Sequence, residues 1–123
     1  MEVMKSMYNL ATMLQLQRFS TAQEKLTQME VERFLTSEGI RFEREKHLSD
    51  RDIPDFLIQT QFGNVVLEVK TRCARKAIYR QLERYAGHQV VNGLILLTGT
   101  SMGLPPEING KPSIVASLGA GWL

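Results

Sequence analysis

A chain of 123 residues fits one domain and is too short for two cores. Hydrophobic residues at 43% and charged residues at 23% are ordinary globular values, and a formal charge of +2 is too small to name a partner. The single cysteine, Cys73, excludes an internal disulfide and a four-cysteine iron–sulfur cluster; no apolar run reaches the length of a membrane span, and Glu2 and Lys5 break the pattern of a signal peptide.

These exclusions predict a soluble, cytoplasmic protein with no membrane partner, in which Cys73 is a small packing residue. Residues 2–18 carry Val3, Met4, Met7, Tyr8, Leu10, Ala11, Leu14 and Leu16 largely at helical spacing, with four of the six methionines nearby. Two fates are open to this N-terminal extension (1–19): docking back on the domain, or homodimerisation. Thr21-Ala22-Gln23-Glu24 reads as a capping box that opens a helix over about 22–38, stopped by Gly39. Ile40 to His47 alternates apolar and charged residues and predicts a first strand. Leu48 to Asp52 is a charged turn in which Asp50 and Asp52 are turn residues. His47 and His88 stand alone, without the spacing of a zinc site, and are expected at the surface.

From Ile53 to Lys70 two β-branched and apolar runs flank Gly63-Asn64, the pattern of a hairpin with its turn at that dipeptide. Pro54 is tolerated at the start of a strand. Glu68 and Lys70, two apart, share one face, while Val65, Leu67 and Val69 point the other way into a core. A carboxylate and an ammonium side by side in an apolar strand are costly unless their desolvation is offset, and hairpin geometry could bring Asp55 to Glu68. Two such carboxylates are the usual protein contribution to a Mg²⁺ site, beside which a lysine can orient or deprotonate water.

Residues 74–86 predict a basic helix ended by Gly87, with Gln81 and Tyr85 on one face next to Ile78 and Leu82. Lys70, Arg72, Arg75, Lys76, Arg80 and Arg84 fall within fifteen residues that contain one acid, Glu83. Such a cluster is either a solvated helix face or a surface that tracks phosphates, and proximity to a metal site favours the second. Tyr85 suits base stacking or core packing equally. Leu94 to Thr98 is an apolar run suited to a central strand covered on both faces. Residues 99–111 read as a loop, Ser113–Leu118 as a last strand and Trp122 as a terminal anchor.

Pro54-Asp55, a gap of twelve residues, then Glu68-Val69-Lys70 resembles the core motif of the PD-(D/E)XK nuclease superfamily. Gln81 to Tyr85 resembles the Gln-x-x-x-Tyr element of its RecB-like branch, and the resemblance covers about residues 21–98. It implies an α/β, restriction-endonuclease-like core with a mixed β-sheet flanked by helices (20–98), followed by a C-terminal loop and strand (99–123). It also implies Mg²⁺ (or Mn²⁺) held by Asp55, Glu68 and the Val69 backbone carbonyl, Lys70 positioning the attacking water, and Gln81 orienting a water or phosphate. Relatives usually present an acid from the first helix about eleven residues before the glycine. That position here is Gln28, a departure that leaves Glu24 or Glu30, and Glu24 shares the inward face of Val31, Phe34 and Leu35.

The resulting expectation is a metal-dependent deoxyribonuclease of phage or prokaryotic recombination, repair or DNA processing. DNA would lie along Arg72, Arg75, Lys76, Arg80, Arg84 and Tyr85. Two alternatives remain: a non-catalytic DNA-binding or regulatory module on the same fold, and an interaction protein in which Glu68 and Lys70 form only a structural ion pair.

Overall fold

A computed structural model describes residues 2–122. The helices are α1 (Glu2–Gln15), α2 (Glu24–Ser37) and α3 (Arg75–Ala86); the strands are β1 (Phe42–Arg44), β2 (Phe56–Thr60), β3 (Gly63–Lys70), β4 (Val91–Thr98), β5 (Glu107–Ile108) and β6 (Lys111–Ser117). They form an α/β domain on a six-stranded mixed sheet of order β1-β2-β3-β4-β6-β5. Neighbours β1, β2 and β3 run antiparallel, β3–β4 and β4–β6 parallel, and β5–β6 antiparallel.

Alternation along the strands divides the core into two layers. Phe56, Ile58, Val65, Leu67, Val69, Ile95 and Leu97 meet α1 and α2 on one face. Leu57, Val66, Leu94 and Leu96 meet Ile78, Leu82 and Tyr85 of α3 on the other. Met7, Leu10, Ala11 and Leu14 recur at the i, i+3, i+4, i+7 spacing that gives a helix one apolar stripe, and all four are buried. The N-terminal segment therefore docks back as part of the core, not as an appendage to it.

Several local expectations need correction. The predicted capping box does not form: Gln23 is the N-cap and its side chain makes no capping bond. Instead the Thr27 hydroxyl, one turn into α2, donates to the Ser20 and Gln23 carbonyls. At the other end Gly39, at φ +69, closes a Schellman motif in which its N–H donates to Thr36 and that of Ile40 to Leu35. The hairpin turn lies at Gln61-Phe62, since Gly63 already pairs with Thr60 in β3. The predicted loop 99–111 contains β5, which Asn109 (φ 50) and Gly110 (φ 77) join to β6 with both residues left-handed. That Asn-Gly dipeptide is the usual signal for such a turn. Cys73 is exposed. Trp122 donates through Nε1 to the Phe19 carbonyl at 3.0 Å, tying the C-terminal turn to the start of the α1–α2 connection.

Gly93 sits on β4 directly under α1. A Cβ added there would lie 2.5 Å from the Met7 sulfur, which is itself buried. Gly93→Ala should therefore cost about 1–3 kcal/mol through overpacking. Shortening the obstructing side chain should relieve part of that cost. In urea titrations, Met7→Ala combined with Gly93→Ala should be less destabilised than the sum of the single variants. Strict additivity would show that α1 does not press on this glycine.

Candidate functional site

Strand β2 begins only at Phe56, whereas β3 continues to Lys70, so the last residues of β3 have no backbone partner on that edge. Side chains take its place. The Val69 N–H donates to Asp55 Oδ2 at 2.8 Å, and the Thr71 N–H, two residues on, donates to Glu24 Oε1 at 3.1 Å. In return the Asp55 N–H donates to Glu68 Oε1 at 2.9 Å. N–H and C=O of one strand residue face the same neighbour, so the Val69 carbonyl opens on the Asp55 side.

The remaining contacts converge on Glu68. Its carboxylate is only 2% exposed, and Oε2 lies 3.5 Å from Lys70 Nζ and accepts a 3.3 Å hydrogen bond from the Tyr85 hydroxyl. The same hydroxyl lies 3.3 Å from the Ile53 carbonyl. Asp55, Glu68 and Lys70 are thus brought together, with Glu24 at the adjoining edge. Glu30 is not: its Oε1 accepts the Ser20 N–H at 2.6 Å on the far side of the α2 start. Gln81 is half-buried on α3 one turn before Tyr85, and no hydrogen bond to its amide is made among the described residues.

Burial first, and then the charge of Asp55, raises Glu68 from an ordinary 4.5 to about 7. Burial likewise raises Asp55 from 3.8 to about 6; the Val69 N–H and Lys70 oppose this, and the charge of Glu24 adds to it. Tyr85 is also raised, by burial and then by the two carboxylates, so its hydroxyl is a permanent donor. Two carboxyl groups that resist ionising side by side form a site that a cation would stabilise. No three His, Cys, Asp or Glu side chains among the described residues converge as a full set of metal ligands. Mg²⁺ does not need such a set, because it retains several waters and takes one or two carboxylates. Asp55, Glu68 and the Val69 carbonyl are oxygen donors of the kind such an ion takes.

Of the predicted nucleic-acid residues, Arg72, Arg75, Lys76 and Arg80 are exposed. Tyr85 is 1% exposed and cannot stack on a base; it packs in the core and serves Glu68. Arg84 is committed elsewhere: its Nε donates to Asp52 Oδ1 at 3.0 Å, and His88 Nε2 lies 2.8 Å from Asp52 Oδ2. Asp52 is therefore a buried tie between the 48–54 loop and the end of α3, not a plain turn residue, and His88 is half-buried against it. The His88 hydrogen bond is the main cause of the lowered Asp52 pKa.

Arg44 carried no sequence signal, yet it braces the site. It donates to the Asp55 carbonyl at 3.0 Å, to Gln28 at 3.2 Å and to Glu32 at 3.1 Å, while its guanidinium lies 4.7 Å from the centre of the Phe56 ring. Gln28, where the resemblance to the nuclease superfamily leads one to expect an acid, is here a partner of that arginine.

No family model matches the chain, and comparison with curated proteins yields no match. No helix among the described residues is long and apolar enough to cross a membrane.

Both site carboxyls have folded-state pKa values above their unfolded ones, so the folded state holds protons that the unfolded state releases between about pH 4 and 7. In the absence of divalent cations, stability should therefore fall as pH rises through that window. Glu68→Gln removes one of these groups and keeps one of its two acceptor oxygens. Chemical denaturation in EDTA should find that this variant loses less stability than wild type between about pH 5 and pH 8, a flatter pH profile. A variant that keeps the wild-type slope would contradict the assignment.

Proposed function

We propose that the chain is a Mg²⁺- or Mn²⁺-dependent nuclease that hydrolyses DNA phosphodiester bonds, in phage or prokaryotic recombination, repair or DNA processing. The observation that supports this best is the mutual bonding of Asp55 and Glu68 at the open edge of β3, with Lys70 Nζ 3.5 Å from Glu68. A buried acid and a lysine at the end of an apolar strand, with a half-buried second acid beside them, are costly to keep for packing alone.

In this reading Asp55, Glu68 and the Val69 carbonyl hold the ion. When bound, the ion polarises a phosphoryl oxygen and lowers the pKa of a water. Lys70 keeps donors free beyond Glu68, and these meet the charge that develops on the phosphoryl oxygens. Glu24 remains fixed by the Thr71 N–H, so one oxygen is left to accept from a water at the site edge. Gln81 offers an amide to the substrate phosphate. The water oxygen forms the new bond to phosphorus as the bond to the 3′-oxygen breaks and that oxygen takes a proton, which leaves a 5′-phosphate. Arg72, Arg75, Lys76 and Arg80 neutralise neighbouring phosphates.

A second reading, a non-catalytic DNA-binding module, draws on the fact that Glu68 already has three partners, Asp55 N–H, Tyr85 and Lys70. One assay separates the two. With linear, nicked and branched DNA, cleavage should require Mg²⁺ or Mn²⁺, stop in EDTA and fall about 10²-fold or more in Lys70→Ala and Asp55→Asn, with folding verified by thermal melting. Retained binding without cleavage by the wild type in any metal would leave only the module.

A further inference from the structure

Along the outer side of α3 a groove of about 380 Å³ is lined by Arg75, Lys76, Tyr79, Arg80, Met102 and Gly103. Three of its six lining residues are cations and none is an acid. Tyr79 and Met102 are partly buried against the core beneath α3, so the groove has a fixed apolar floor with charge around it. We propose that this groove is a binding site for unpaired DNA, with a base laid on Tyr79 and Met102 and the flanking phosphates on Arg75, Lys76 and Arg80. A flat aromatic with cations on either side suits a nucleotide, since every base has a π-face and every link a charge. The match of charge selects a polyanion over an apolar peptide, and the ring selects an exposed base over a closed duplex.

This assignment rests on the nuclease reading for its consequence: the unpaired strand is held next to the acids. The two sites are joined by backbone. Thr98 Oγ1 and the Gly99 N–H donate to the Lys70 carbonyl at 2.7 and 3.1 Å, so the chain that leads to Met102 starts at the end of β3. Arg75 follows Lys70 by five residues, which limits their Cα separation to about 18 Å, a span covered by about five stacked nucleotides. The substrate class is therefore DNA with a single-stranded segment, an overhang or flap, for which at most about five stacked nucleotides separate the groove from the acids.

The test measures binding by fluorescence anisotropy in EDTA, with labelled oligo-dT and a blunt duplex as probes, and cleavage of the same molecules in Mg²⁺. Tyr79→Ala should weaken oligo-dT binding about tenfold and duplex binding by less than twofold, while Tyr79→Phe should bind as wild type does. Arg80→Gln, exposed and independent of the core, should weaken oligo-dT and reduce the salt dependence of its binding. The groove assignment is overturned if folded Tyr79→Ala and Arg80→Gln both bind oligo-dT as tightly as wild type, or if the duplex is weakened equally. Failure of the hydrolase reading looks different: oligo-dT binding would depend on Tyr79 and no probe would be cut in any metal.

Discussion

Two main-chain amides, those of Asp55 and Val69, each find a carboxylate where a neighbouring strand would ordinarily supply a carbonyl, and the site is built on that exchange. A backbone N–H left unpaired at the edge of a buried strand costs free energy, so the ends of β2 and β3 hold together only while the side chains of residues 55 and 68 cross between them. The acids are consequently oriented by the sheet itself and not by their own rotamer preferences. Glu24 extends the same pattern to Thr71, so a helix from the opposite layer is fastened to the open edge of β3.

Electrostatics then works against the arrangement that hydrogen bonding builds. Asp55 lies half-buried beside the buried Glu68, and its charge makes Glu68 harder to ionise. Lys70 offsets part of this cost. Arg44 supports the backbone of residue 55 from outside, and Tyr85 supplies a donor from α3 that stays protonated. What is left is an imbalance, two carboxyl groups whose ionisation the neighbouring cations only partly support, a setting in which a small hard cation would be favoured. The proposed chemistry draws on this imbalance, because a fully neutralised cluster would gain little from a metal.

Much of this could be read in the sequence because strand periodicity is rigid. Glu68 and Lys70 had to share a face, and Val65, Leu67 and Val69 had to enter the core, as they do. The helix ending at Gly39 and the basic helix ending at Gly87 were equally legible, since apolar spacing and a terminal glycine agree there. The mixed α/β sheet followed from the order of those segments. What escaped depends on pairs far apart in the chain. Arg44 reaching Asp55, Asp52 meeting Arg84 and His88, and Lys111 donating to the carbonyls of Ala86, His88 and Val91 have no local pattern. Gly63 misled because it looked like a turn residue, whereas it sits inside β3 at φ +139 against Asn92. Asn109-Gly110 did carry a turn signal, but its flanking strand has only two residues and no alternation to read.

In the proposed chemistry the two acids accept one divalent ion between them. Carbon-13 NMR of the Asp55 and Glu68 carboxyl groups during a Mg²⁺ titration near pH 6.5 observes this directly. Both resonances should move together to their ionised positions, with proton release, and the response should vanish in Asp55→Asn. If Mg²⁺ at tens of millimolar leaves both carboxyl groups where they were, the pair is a structural clasp and no metal site.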